Sequence, residues 1–171
     1  MRLNPLIIAA IVGAMIMAMP KRTTESGREI IKKEEGLRLS AYRDERGLWT
    51  IGYGHLIRPE EEADLMLKGP ISLAKAEQIL TEDLKKAEDA IKSLVRKPIN
   101  QNQFNALASF VFNIGTTAFA GSTLLRLLNV GDYEGAAAEF PRWNKVTKDG
   151  VKVVSEGLTA RRARERKLFE A

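Results

Sequence analysis

One stretch of this chain carries the signature of β-structure and the sequence beyond it turns to helical periodicity, an order that constrains the fold more than any other feature. Residues 39–55 read Leu-Ser-Ala-Tyr-Arg-Asp-Glu-Arg-Gly-Leu-Trp-Thr-Ile-Gly-Tyr-Gly-His. Asp-Glu-Arg-Gly is turn chemistry, and the aromatic and β-branched residues on either side predict two short antiparallel strands. Upstream, Ser26 is a candidate N-cap for a helix through Ile30, Ile31, Glu34 and Glu35 that stops at Gly36. Downstream, Ser72 can cap a long helix whose Ala76, Ile79, Leu80, Leu84, Ala87, Ile91 and Leu94 keep the three-to-four spacing of one buried face. Asn100 with Gln103 makes a capping-box start for a helix through Phe104, Leu107, Ala108, Val111 and Phe112, closed by Gly115. Shorter helices are predicted over 123–129, 132–140 and 158–170, with no further β signal and no internal repeat. The sum is an α+β fold: mostly helical, two-lobed, with a small β-hairpin sheet near the start of the domain and a cleft between the lobes.

Residues 1–24 read as a unit distinct from the domain over 25–171. Residues 6–19 form an uncharged run of fourteen, five of them Ala or Gly, preceded by Arg2 and followed by Pro20, Lys21 and Arg22. As a helix the run spans about 21 Å, short against about 30 Å of bilayer hydrocarbon. It reads as a membrane or export element. A cleavage site is poorly signposted, since Ala18 has Ile16 two places before it. A buried core helix is the alternative for an apolar run of this length. Lys21, Arg22 and Arg28 outnumber Arg2, so positive-inside counting does not by itself favour an outward-facing domain.

The chain has no cysteine and one histidine, His55, which excludes disulfides, thiolate or multi-histidine metal sites and a cysteine nucleophile. No cofactor or metal is expected. A net charge of +5 favours a polyanionic partner without naming it. The carboxylates offer one candidate chemistry. Cleaving a glycosidic bond takes one carboxylic acid to protonate the leaving oxygen and a second carboxylate to activate water or attack directly. Glu35, at a helix C-terminus whose partial negative charge favours the protonated form, and Asp44, in a polar turn that favours the ionised form, match those roles. Thr50 offers a hydroxyl to hold the water. Spacing alone is weak support for this set, and Glu34 competes with Glu35.

His55 beside glycines is more readily structural than catalytic. Asn113 fits cleft lining and helix capping equally well. Trp49 and Trp143 are expected in the core rather than stacked on sugars. Arg161, Arg162, Arg164, Arg166 and Lys167 form a basic helix that suggests a rival, a cationic module binding nucleic acid or acidic lipid. Glu165 and Glu170 interleave with them at helical spacing, which fits a salt-bridged exposed helix better, so no nucleic acid is expected. A pore-forming protein is excluded by the single short apolar segment.

Glu35-Gly36-Leu37-Arg38-Leu39-Ser40-Ala41-Tyr42-Arg43-Asp44 followed by Gly47-Leu48-Trp49-Thr50-Ile51-Gly52-Tyr53-Gly54-His55 strongly resembles the phage-type, T4-like lysozymes of glycoside hydrolase family 24. The resemblance continues through Gln103-Phe104-Asn105, Ser109 to Gly115, Ser122 to Leu125 and Gly157-Leu158-x-x-Arg161-Arg162-x-x-Glu165, covering nearly everything after Glu25. It implies that Glu35, Asp44 and Thr50 form a catalytic triad that hydrolyses the β-1,4 bond between N-acetylmuramic acid and N-acetylglucosamine. The implied substrate is bacterial peptidoglycan, the implied route is inverting, and the carboxyls are then expected about 6.5 to 9.5 Å apart. A monomer is expected. The apolar N-terminus also resembles that of signal-arrest-release endolysins, which are tethered in the host inner membrane facing the periplasm and then released. Release by cysteine exchange is impossible here. The expectation is that the freed segment packs on the domain and completes the Glu35 site, because an apolar helix in water must be covered.

Overall fold

The computed structural model describes residues 20, 22–44, 47–66, 68–148 and 150–171. The apolar run at 6–19 lies outside the described residues, as do positions 45 and 46 of the expected turn.

Helix α1 (Glu25–Glu35) begins at Thr24, whose Oγ1 accepts from the Gly27 N–H at 3.3 Å. The cap is therefore not Ser26, whose hydroxyl lies 2.9 Å from that of Thr24. Thr24 has the extended backbone a cap requires, φ −71° and ψ 167°, and Asn105 fixes it by accepting from its N–H at 3.2 Å and donating to its hydroxyl at 2.8 Å. Thr23 N–H donates to Glu88 at 2.7 Å, and Gln101 donates to the Arg22 carbonyl at 3.1 Å. The start of α1 is thus pinned to residues far along the chain.

Strands β1 (Arg38–Arg43), β2 (Trp49–Gly52) and β3 (His55–Leu56) form an antiparallel sheet in that order. Tyr42 pairs with Thr50 and Ile51 with His55, so the expected hairpin gains a third strand. A 3-10 turn (Pro59–Glu61) and α2 (Glu62–Leu65) lead to α3 (Leu73–Leu94). Ser72 caps α3 as expected, accepting from Lys75 N–H at 3.1 Å.

Ala76, Ile79, Leu80 and Leu84 of α3 pack with Ile31, Ile51, Tyr53 and Ile57 in a first core. Ala87 and Ile91, further along the same helix, belong to a second core with Phe104, Leu107, Phe110 and Phe140. With 22 residues, α3 is about 33 Å long, enough to be shared by both lobes.

The second lobe is built around α4 (Gln101–Ile114), which opens on the expected Asn100–Gln103 capping box and closes at Gly115. Its residues from Phe104 to Val111 are all buried. Around it lie α5 (Thr116–Ala120), α6 (Thr123–Val130), α7 (Tyr133–Glu139), a 3-10 turn (Phe140–Trp143) and α8 (Glu156–Glu170). Phe110 meets Phe140 and Trp143 edge-on at 5.0 and 5.6 Å.

The structure corrects two further expectations. Strands β4 (Lys145–Lys148) and β5 (Val151–Val154) form a second antiparallel hairpin where the sequence predicts no β-structure. Helix α8 is not an exposed salt-bridged rod, because Arg161, Arg162, Glu165 and Phe169 are buried where it packs on α4. Only pairs such as Arg166–Glu170, at 2.8 Å, fit the exposed reading. No helix among the described residues is long and apolar enough to cross a membrane.

Candidate active site

Glu35 is the last residue of α1, and Gly36 ends the helix with a φ of 69°. Its Oε1 accepts from Arg161 Nη1 at 2.7 Å, with side chains only 17% and 5% exposed. Its other oxygen lies against Gly54. The neighbouring Glu34 is held elsewhere, accepting from Arg164 at 2.6 and 2.8 Å. That guanidinium keeps the Glu34 carboxyl below its ordinary value. Of the two adjacent glutamates, Glu35 is thus the one next to the cleft and Glu34 is committed to an ion pair.

Asp44 and Thr50 are tied together through one residue, Leu48. The Leu48 N–H donates to Asp44 Oδ1 at 2.9 Å, and its carbonyl accepts from the Asp44 N–H at 2.9 Å and from Thr50 Oγ1 at 3.2 Å. Thr50 is buried, and its hydroxyl proton points at Leu48, which leaves oxygen lone pairs to accept a further hydrogen. Tyr42 is cross-strand from Thr50 and within electrostatic range of both Glu35 and Asp44. Burial raises the Tyr42 phenol most, Arg38 opposes, and the charges of Glu35 and Asp44 both add to the rise. All three candidates therefore lie around the β1–β2 hairpin and the end of α1.

A groove of about 340 Å³ runs between the lobes, walled by Gly54, Leu56 and Lys86 on one side and Val111, Phe112 and Thr116 on the other. Gly54 belongs to both this wall and the surround of Glu35. The groove is large enough for part of a polymer chain.

His55, on the groove wall, is held through both ring nitrogens: Nδ1 is 2.6 Å from Asp83 and Nε2 is 3.2 Å from Glu61. Burial alone would lower its affinity for a proton, but hydrogen bonds and charge from Asp83 and Glu61 outweigh it and raise the imidazole above its ordinary value. The structural reading of His55 fits this arrangement. Asn113 is exposed and its Oδ1 accepts from the buried Arg162. Trp143 is half-buried against the second core, and Trp49 is half-buried against the first under the Arg43 guanidinium at 4.5 Å. Sequence places Arg161 in a basic surface and gives no sign of its tie to Glu35. The only signal is the pairing of two arginines with Glu165 one turn later.

The family model for phage lysozyme matches residues 32–165, a span containing Glu35, Asp44, Thr50 and Arg161. The chain belongs to the phage lysozyme family. It is 48% identical over 147 residues to the endolysin of Salmonella phage P22, covering 85% of this chain and 96% of that one. It is 34% identical over 156 residues to a SAR-endolysin of Enterobacteria phage PA-2, covering 91% and 87% respectively. The solved muramidase domain of SpmX from Asticaccaulis excentricus superposes with a TM-score of 0.79 at 37% identity, covering 89% of this chain and 99% of that one. The two-lobed α+β architecture is thus that of the family.

Proposed function

We propose that this chain is an endolysin, a muramidase that hydrolyses the β-1,4 bond between N-acetylmuramic acid and N-acetylglucosamine in peptidoglycan during host lysis. The observation that carries the reading is Glu35 held by Arg161 against the wall of an inter-lobe groove, with Asp44 and Thr50 on the adjoining hairpin. Glu35 protonates the leaving oxygen. Asp44, with the Thr50 hydroxyl, orients and activates the water that attacks the opposite face of the sugar, giving inversion. The Leu48 peptide sets the distance between Asp44 and Thr50. The reading needs no metal or cofactor.

The test is loss of turbidity of outer-membrane-permeabilised bacteria with the parent and with Glu35→Gln, which keeps shape but cannot supply the proton. Clearing is expected to fall by about 10²- to 10⁴-fold. Equal clearing by both would leave a cationic lytic module as the better account. New reducing ends at muramic acid mark hydrolysis, whereas anhydro ends would mark transglycosylation. Thr50→Ser is expected to retain more activity than Thr50→Val.

The second part of the proposal concerns residues 1–24, taken as the segment that precedes the domain over 25–171 and docks on it through Thr23 and Thr24. They tether the protein in the host inner membrane, domain outward, and then let it go to the periplasm as a monomer. SAR-endolysins among the relatives and the uncharged run at 6–19 support this reading. The freed segment then packs on the domain and completes the Glu35 site. Thr23 and Thr24 are bound to Glu88 and Asn105, so a chain begun at residue 20 keeps the anchorage of α1. Full activity in that shortened chain would defeat the completing role, and absence of the full chain from the membrane fraction would defeat the tether.

A further inference from the structure

Behind Glu35 lies a cluster of three buried charges that the proposed reaction does not use. Arg161, Arg162 and Glu165 are 4%, 0% and 2% exposed. Glu165 Oε1 accepts from Ser109 Oγ at 2.7 Å and from Arg161 Nε at 3.1 Å. Arg161 Nη2 donates to the Ser109 carbonyl at 3.1 Å, so with Nη1 on Glu35 the whole guanidinium fork is engaged. Glu165 Oε2 lies 3.1 Å from Arg162 Nη1 but out of hydrogen-bond alignment. Arg162 also donates to Asn113 and stacks over Phe110 at 5.0 Å.

Burying such charges costs several kcal/mol per ion, and apolar side chains of equal volume would fill the same space at least as stably. A costly charge cluster in direct contact with a candidate acid points to a role at the site. With Glu165 ionised, the trio carries one net positive charge towards Glu35. Without it, two buried guanidiniums would face that carboxyl. The remaining polar or titratable neighbours do not replace it: Ser109 and Asn113 of α4 are neutral, Glu34 of α1 is committed to Arg164, and Tyr42 of β1 is a phenol. Burial pushes the Glu165 carboxyl up against the pull of both arginines, and pushes Arg162 down to about 10.

We propose that Glu165 is a positioning residue for the reaction: it orients the Arg161 guanidinium on Glu35 and offsets Arg162, so that Glu35 meets one net cation instead of two. The inference rests on the reading of Glu35 as the acid. Its sign is testable. An acid must be protonated to act, so activity falls as pH rises through its titration.

The pH dependence of kcat/KM on solubilised peptidoglycan strands, together with the ¹³C titration of the Glu35 carboxyl carbon assigned through Glu35→Gln, reads the effect. Glu165→Gln should move the alkaline limb and the carbon titration to lower pH by about half to one unit. Arg162→Met should move both to higher pH, and it leaves Glu165 still bound to Arg161 and Ser109 if Glu165→Gln does not fold. Both variants losing thermal stability while limb and titration stay put would overturn the proposal and leave the cluster purely structural. Retained activity in Glu35→Gln would instead sink the acid reading, whereas an immobile titration in Glu165→Gln with Glu35→Gln inactive overturns only the role of Glu165.

Discussion

Gly54 and Glu35 touch: a β-carbon built on Gly54 would stand 3.0 Å from Glu35 Oε2. Gly54 also has a φ of 79°, a conformation that costs a residue with a side chain about 1–2 kcal/mol. Gly54→Ala is therefore expected to displace the carboxyl as well as strain the turn. Thermal melting should report the modest loss of stability, while initial clearing rates fall by roughly 10- to 100-fold. An active Gly54→Ala protein would show that Glu35 is not held as tightly as its contacts imply.

His55 and Asp83 form a largely buried pair whose stability contribution depends on pH. The raised His55 value means its share is fully present below about pH 6.5 and is lost as pH rises through the higher folded value. For Asp83, burial acts upward but bonds to His55 and Lys86 outweigh it, so its value is lowered. Its share is present above about pH 4 and lost as pH falls through the lower folded value. His55→Asn should cost about 3–5 kcal/mol near pH 5.5, and the gap in Tm from the parent should narrow towards pH 9. A gap that does not change with pH would mean that the imidazole is not charged in the fold.

Arg161 and Arg164 lie on the same helix and each binds a glutamate of α1, yet they should respond very differently to removal. Arg164 is 52% exposed although its partner Glu34 is only 10% exposed, so Arg164→Met frees one carboxylate at the surface edge and should cost about 1–3 kcal/mol. Arg161→Met strands both Glu35 and Glu165 in a buried setting and should cost about 3–5 kcal/mol, with activity lost as well. Urea unfolding and clearing assays on the two proteins give the comparison directly.

Because α3 contributes to both cores, the lobes are expected to unfold together. Trp49 reports the first lobe and Trp143 the second. In Trp143→Phe and Trp49→Phe proteins, fluorescence melts should have coincident midpoints. Leu84→Ala, with the parent side chain 1% exposed, should lower both by an amount equivalent to about 2–5 kcal/mol. Separate midpoints would show that α3 breaks between the cores.

Much of the helical frame is legible in the sequence because its signals are local. Ser72, Asn100 with Gln103, and Gly115 each act within one turn of the backbone they terminate. Thr24 and Ser26 carry the same hydroxyl chemistry, and Asn105, 81 residues away, decides between them. The second hairpin escapes a reading of pattern although Asp149-Gly150 is a turn signal. Its strands are mostly exposed and lack the alternation that marks a half-buried sheet. Glu35, Asp44 and Thr50 stand out by their place in a resembling motif, with spacing alone too weak to choose them. The charges of α8 have the same spacing whether they face water or a core, so only packing on α4 reveals that Arg161, Arg162 and Glu165 turn inward.

Since the clasp on Glu35 comes from α8, a ribosome must make that fifteen-residue helix before the first helix has its last side chain fastened. A nascent chain halted before residue 156 lacks the guanidinium that holds Glu35. The proposed acid thus waits more than a hundred residues of synthesis for the side chain that fastens it, a delay built into the order in which the polypeptide emerges.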